Sequence, residues 1–566
     1  MKYVLASAAI AMFMVGCGGG GSGSGTTPTT VTTLAPVTLA PAGSVTVSGQ
    51  VTFDFVPVVV ATTVNGLTPK LDYNNTARKP ARSVSVALID SATGDELATA
   101  KTDASGNYSL VGPVGRSVYI RAYARLLPVN DATTARVSVL DNTDFDAQWA
   151  LAGPAFTAAN STTLTKNLNA GSGWTGTAYN NNLRIAATFA MLDTIYTGMQ
   201  KIIAVDPNAV FPKLDVHWSP DNTTFSGTLA SGQIGGSFFQ SATTNGVVTS
   251  RDLYILGAAN NDTDEYDQHV IAHEFGHYLQ SAFSRNDSIG GSHGGTNDRL
   301  DMRVAFGEGW GNGWAGYALG NAIYADTAGT GQANGFTLDI AAGEATDKGW
   351  FKEASVQRII WDLSKDTNIG FGSVWNALKT GFAGSPALTS AHSFANALRQ
   401  NLTSSEAQTA LSTIFNSESI VVATDPYGSN ETKFGTPPIL GTDPIYTTYG
   451  ALNSTTNVCI SNAADMNGVG NKAGQHRYIK LTLAAAGNKT ITVTRDAATT
   501  AGIATDPDFT LYSSAGRVLR VANNTANTET ATTPILPIGD YVLALTDKTF
   551  RTSTTARAPC FNVVIN

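Results

Sequence analysis

The hydrophobic period of this chain changes twice, and that constrains its fold more than any other feature. From Val45 to about Ala150 apolar and polar residues alternate, as in Val45-Thr46-Val47-Ser48, Val84–Asp90 and Val118–Ala124. Period two marks a strand with one face buried. Turn residues such as Ser91-Ala92-Thr93-Gly94 and Asp103-Ala104-Ser105-Gly106 separate these runs. Short strands with frequent turns predict a β-sandwich over 44–150. Over 151–445 the apolar spacing turns helical, in Leu183–Ile203, Tyr266–Phe283, Met302–Leu319, Ala354–Leu363, Val374–Gly381 and His392–Leu402. Leu253–Leu256 reads as a short strand among them, and as a candidate edge. From about 446 the alternation returns, in Tyr478–Leu483, Lys489–Thr494 and Gly539–Leu545, which predicts a second β-sandwich over 446–566. A chain of 566 residues exceeds the roughly 250–300 that one core supports. The expected architecture is multidomain: an α+β domain flanked by two β-sandwich domains.

The first residues read as an address. After Lys2, Val4–Val15 is apolar over about a dozen residues, short of the roughly 20 that span a bilayer and typical of a signal sequence over 1–16. Met14-Val15-Gly16-Cys17 resembles a bacterial lipobox, with Met14 standing where Leu is usual. That resemblance implies lipidation of Cys17, a Gly/Ser/Thr/Pro tether over 17–43, and an exported bacterial lipoprotein that meets the membrane only through its lipid. Gly18 is not the Asp that marks inner-membrane retention, which favours the outer membrane. The alternative is an ordinary signal peptide cut elsewhere.

Composition narrows the function classes. Charged residues make up 14% of the chain, with 35 Lys+Arg against 43 Asp+Glu and no basic run. Nucleic-acid binding by a polyelectrolyte route is not expected. Three cysteines exclude a disulfide-dense scaffold and a Cys-rich zinc ribbon. With Cys17 assigned to lipid, Cys459 and Cys560 are the natural pair in an oxidising compartment. They lie 560 − 459 = 101 residues apart, and closing such a loop is worth about 4–5 kcal/mol in loop entropy. Two unrelated buried thiols are the alternative.

The residues that carry chemistry are His273-Glu274-Phe275-Gly276-His277. Two His four apart project from one helix face, so both imidazoles reach one Zn²⁺ at about 2.0–2.1 Å. Glu274 stands between them as a general base, while Val270, Ile271, Phe275 and Leu279 can bury the opposite face. A catalytic zinc takes a third protein ligand and keeps one position open. Downstream lies Gly307-Glu308-Gly309-Trp310.

HEFGH followed about 30 residues later by GEGW resembles the gluzincin metallopeptidases, and most closely their fungalysin-type branch. The resemblance implies a zincin-type fold, a zinc endopeptidase acting on protein or peptide substrates, and Glu308 as the third ligand. Phe283 occupies the position where a metzincin would carry its third His. Gluzincins usually place an Asp four residues after the ligand Glu, hydrogen-bonded to a zinc His; this chain has Asn312 there. The family's oxyanion-stabilising group has three candidates, His293, Tyr317 and His392. Phe351–Leu363 resembles the helix on the far side of the family's cleft, which makes Glu353 and Arg358 candidates for facing substrate. Asp262, Asp264 and Asp267 could bind Ca²⁺, although acids at a helix start explain them more simply.

Two flanking resemblances are narrower. Thr102–Tyr108 is similar to a turn of transthyretin-like or carboxypeptidase-regulatory-like modules, and Asp508–Val518 with Leu536–Leu545 resembles the pre-peptidase C-terminal domain. A surface lipoprotein that binds zinc but cuts nothing, serving adhesion, is the competing function class.

Overall fold

The computed structural model describes residues 43–566, apart from 64–65, 128–136, 159–162, 245–246, 295–297, 432–442, 465–469, 501, 503 and 524–525. The signal sequence, Cys17 and nearly all of the tether lie outside the described residues. Among the described residues no helix is long and apolar enough to cross a membrane.

The chain is sheet-rich and multidomain. The alternating strand Ser44–Phe55 buries Val45, Val47, Val51, Phe53 and Phe55. It pairs antiparallel with Ala77–Pro80 and Asn107–Pro113, and parallel with Thr163–Thr165 and Leu168–Ala170. A second, ten-stranded sheet contains Val84–Asp90, Glu96–Lys101, Ser117–Leu126 and Val137–Asp141, and continues into Leu214–Trp218, Val247–Ile255 and Phe238–Thr244.

That continuity corrects the expected boundary at 150. Val137–Asp141 and Leu214–Trp218 are parallel neighbours, with Val139 opposite Val216, and one hydrophobic core runs through both blocks. Parallel neighbours need a crossover, and helix α1 (Ala186–Val205) lies in that connection. Alternation announces each strand but does not name the sheet it joins.

The expected edge is also corrected. Val247–Ile255 has Leu214–Trp218 on one side and Phe238–Thr244 on the other, so Leu253–Leu256 is interior and Phe238–Thr244 is the edge.

Helices α2 (Gln268–Phe283), α3 (Met302–Leu319) and α4 (Glu353–Lys365) pack in series, with α3 in the middle. α3 buries 16 of its 18 residues, as a helix surrounded by protein must. α5 (Gly370–Ala377), running into a π turn at Leu378–Phe382, and α6 (Ala391–Asn401) follow the expected pattern. α7 (Ser405–Ser417) was not expected; Ser404 caps it by accepting from Ala407 N at 3.1 Å.

Asp262 and Thr263 do not start a helix. They form a strand in a small sheet with Gly257–Ala258, Ile323–Ala328 and Asn334–Asp339. α2 begins six residues later, and the Asp267 carboxylate before it accepts from Thr327 N at 2.8 Å, bonding across the fold and not to its own helix.

The C-terminal block has the expected layered form. Five strands (Tyr446–Thr448, His476–Leu483, Gly539–Asp547, Pro507–Ser513, Gly516–Val521) face four (Thr455–Cys459, Cys560–Ile565, Thr490–Arg495, Thr528–Thr532). A separate core including Val458, Ile479, Leu511, Leu543 and Phe561 lies between them. Cys459 and Cys560 stand opposite each other on neighbouring strands and form a disulfide.

Candidate metal centre

α2 and α3 meet where neither can carry a side chain. A Cβ on Gly276 of α2 would lie 3.2 Å from Gly311 Cα of α3, and one on Gly311 would lie 2.7 Å from the His273 ring. Trp310 Nε1 donates to Gly276 O at 2.9 Å across the same contact. A glycine inside a helix costs about 0.5–1 kcal/mol; here it lets the backbones approach until side chains from both helices reach one point.

That point is occupied by His273, His277 and Glu308. His273 Nε2 and His277 Nε2 are 3.0 Å apart, and Glu308 Oε2 lies 3.3 and 3.2 Å from them. Ligands at about 2.0–2.1 Å in a tetrahedron stand roughly 3.3–3.4 Å from each other, so the triangle has the size of three corners of such a site. All three side chains are buried, and Glu308 Oε1 has no hydrogen-bond partner. Two imidazole nitrogens and one carboxylate oxygen that converge within 3.3 Å of one another form a set able to hold a divalent metal ion.

The outer contacts orient the inner ones. Asn312 Nδ2 donates to Glu353 Oε1 at 2.8 Å and to Gln357 Oε1 at 3.0 Å, so its Oδ1 is left to accept from His273 Nδ1 at 2.7 Å. His273 Nδ1 therefore carries the proton, and Nε2 presents its lone pair to the cluster. Asn312 keeps the bond that an Asp would make, and Glu353 supplies a charge one group further out.

His293 also arrives at the cluster. Its Nδ1 is 3.0 Å from Glu353 Oε2 and its Nε2 is 3.5 Å from Glu308 Oε2. Burial opposes a charge on His293, but Glu308 and Glu353 outweigh it and push the imidazole up to about 10. Burial likewise works to raise the Glu308 carboxyl, yet His293 and His277 hold it well below the carboxylate range.

Glu274 is buried beside the triangle, and burial pushes its carboxyl up to about 7, suited to taking and returning a proton near neutral pH. The backbone N–H of Phe239 donates to it, which sets the sheet's edge strand directly against the site.

The remaining candidates fall elsewhere. Tyr317 stacks on Phe371 at 4.3 Å. His392 packs near Trp350, and burial lowers its imidazole to about 4. Arg358 pairs with Glu418 at 3.0 Å and Asp362 at 3.3 Å; five residues after Glu353, it points to another side of α4. Of the three acids read mainly as a helix start and alternatively as a Ca²⁺ group, Asp262 and Asp264 converge with Asp326, while Asp267 turns to Thr327. Burial and mutual repulsion raise the carboxyls of Asp262, Asp267 and Asp326 well above their usual range, and burial takes Asp264 to about 7.

Sequence reasoning missed Gln357, Tyr324 and Phe239. Gln357 could have been found one turn after Glu353 on the same helix face. Tyr324, buried with its ring 6.4 Å from that of His273, and Phe239 reach the site from strands, where spacing along the chain carries no signal.

No protein-family profile matches the chain, and no curated protein matches it. Among solved structures, the pre-peptidase C-terminal domain of a collagenase from Bacillus anthracis is 14% identical, with 21% of this chain and 94% of that chain covered and a TM-score of 0.15. A periplasmic inhibitor of g-type lysozyme from Aeromonas hydrophila is 16% identical, covering 21% of this chain and 97% of that chain at a TM-score of 0.14. A 9R-lipoxygenase from Cyanothece is 11% identical over 31% of this chain and 26% of that chain, also at 0.14. These are weak, partial likenesses, and none bears on activity.

Proposed function

We propose that this chain is a zinc-dependent endopeptidase of gluzincin type, exported and tethered to the bacterial cell envelope through Cys17. The triangle of His273, His277 and Glu308, with edges of 3.0–3.3 Å and Glu274 beside it, carries the reading. HEFGH and GEGW are the sequence counterpart of that geometry. When bound, Zn²⁺ supplies Lewis-acid polarisation of the scissile carbonyl and lowers the pKa of water.

The chain's own groups do the rest. Glu274 takes a proton from the attacking water and returns it to the leaving amine, as its buried carboxyl is suited to do. His293, held by Glu353, offers Nε2–H to the carbonyl oxygen as negative charge develops there. Beyond Phe239, whose N–H goes to Glu274, the outer edge of Phe238–Thr244 offers backbone donors and acceptors to an extended peptide. Asn312 keeps His273 in the ligating tautomer. The Cys459–Cys560 disulfide accords with an oxidising compartment outside the cytoplasm.

The test is to measure zinc content of the purified chain and casein hydrolysis by wild type and Glu274→Gln. About one zinc per chain is expected, with cleavage lost in the variant while zinc stays. A folded protein that takes up no zinc sinks the reading. Zinc uptake with no cleavage of a peptide library moves the assignment to a surface-binding lipoprotein.

A further inference from the structure

The segment that delivers His293 has little structure of its own. Residues 286–294 form neither helix nor strand, and Gly290 and Gly291 both take positive φ, 61° and 98°, so the local backbone has wide freedom. Two local bonds, Ser288 N to Asn286 Oδ1 at 2.8 Å and Gly290 N to Ser288 Oγ at 3.2 Å, shape its first half, and further anchors come from far along the chain. Asn471 Nδ2 donates to Gly290 O and Ser292 O, each at 3.0 Å. Lys472 Nζ donates to Ser292 O at 2.8 Å and pairs with Asp298 at 3.1 Å. Two backbone bonds tie the same stretches together, Asp301 N to Asn471 O at 2.8 Å and Ala473 N to Arg299 O at 2.7 Å.

Asn471 and Lys472 belong to the C-terminal β module, in the turn before the strand His476–Leu483. They are 1% and 3% exposed, and the bond to Gly290 O is buried while those to Ser292 O are half-buried. The carbonyls they hold lie three residues and one residue before His293, whose side chain contacts Glu353 and Glu308.

We propose that the C-terminal β module is a working part of the metal site, with Asn471 and Lys472 as positioning residues that hold Gly290–Ser292 and so keep His293 beside Glu308 and Glu353. The catalytic consequence rests on the zinc-peptidase reading; the positioning does not. Removing the two side chains leaves the buried Gly290 carbonyl and the half-buried Ser292 carbonyl without these donors and returns freedom to a glycine-rich segment, so His293 leaves the cluster for part of the time. The metal triangle, carried by α2 and α3, is untouched.

The experiment compares wild type, Asn471→Ala/Lys472→Met, the near-isosteric Asn471→Asp and the conservative Lys472→Arg, all as full chains loaded with Zn²⁺. Diethylpyrocarbonate labelling of His293, read by peptide mapping, follows its release without reference to activity. Hydrolysis of a quenched fluorescent peptide gives kcat and KM. Labelling of His293 is expected to rise about tenfold in the first two variants, as local opening allows, and to stay near wild type in Lys472→Arg. kcat is expected to fall about 10–100-fold with KM little changed and zinc content intact. If the double variant does not fold, Asn471→Asp carries both measurements. Unchanged labelling in a folded variant overturns the proposal, and so does unchanged kcat beside increased labelling. A wild-type protein with no hydrolysis refutes the peptidase reading instead, and the labelling then decides by itself whether the C-terminal module holds His293.

Discussion

Asn312 accepts a hydrogen bond from His273 Nδ1 at 2.7 Å through its carbonyl oxygen, because its amide nitrogen is already committed to Glu353 and Gln357. The amide therefore orients the imidazole without placing a charge beside it. A carboxylate here would instead face Glu353 Oε1 and Gln357 Oε1, both acceptors, with nothing to donate to them.

That arrangement predicts the outcome of Asn312→Leu. His273 loses the partner that fixes its tautomer, and zinc affinity should fall about 10–100-fold. Competition with a metal indicator measures it; an unaltered affinity would remove Asn312 from the site's support.

Gly311→Ala tests the helix contact. The new Cβ would stand 2.7 Å from the His273 ring, and either α3 or the imidazole must move. Overpacking of this kind costs about 1–3 kcal/mol. Thermal unfolding should shift down and zinc binding weaken together. A variant that binds zinc as wild type does would show that the interface can yield without disturbing the ligands.

Metal removal should reach stability as well as activity. An ion that binds the folded chain at a thousand times its dissociation constant adds about 4 kcal/mol. Chelation is therefore expected to abolish hydrolysis and lower the melting temperature, and added Zn²⁺ to restore both. Calorimetry with and without chelator gives the answer, and identical melting curves would contradict it.

The buried carboxyls of Asp262, Asp264, Asp267 and Asp326 make stability depend on pH. Asp264 is raised to about 7 by burial, above the unfolded value of about 3.9. Between those pH values the folded state holds the proton more tightly than the unfolded state. Stability from this group is complete below about pH 4, declines as pH rises, and is lost above about 7. Urea titrations should show falling stability from pH 5 to pH 7.5, and Asp264→Asn, which keeps an acceptor for Ser237 Oγ, should flatten the slope. An equal slope in the variant would assign the dependence to other groups.

Reducing the Cys459–Cys560 bond should cost about 4–5 kcal/mol by the entropy of its 101-residue loop. Protease nicking of the C-terminal module, with and without reductant, is the readout, and zinc content should stay unchanged because α2 and α3 carry the ligands. Equal resistance under both conditions would count against a stabilising role.

The helices that carry the site were legible because their signals are local. Met302–Leu319 was expected and found with the same bounds, and the His273/His277 spacing needs only one helical turn. Glu308 was reached by resemblance, since no period links it to α2; what joins them is a glycine contact between helices. Arg358 read as a cleft residue through the same resemblance that singled out Glu353, yet the two project from different sides of α4. The edge strand was misassigned because a strand's own residues do not say which neighbours it pairs with, and only pairing says which is outermost.

The chain's sequence alone determined the order of β, mixed and β segments, the existence and approximate extent of most helices, and the two His with Glu274 between them. These follow from periodicity and from propensities that act within a few residues. The tertiary structure decided what distance along the chain conceals: that 44–150 shares a sheet and a core with the central block, that Asp326 and not Asp267 joins Asp262 and Asp264, and that His293 reaches the cluster while Tyr317 and His392 do not. It also decided that Asn471, 178 positions after His293 (471 − 293), holds the segment on which that imidazole stands. Such contacts form where surfaces fit and buried polar groups find partners, and neither condition has a period.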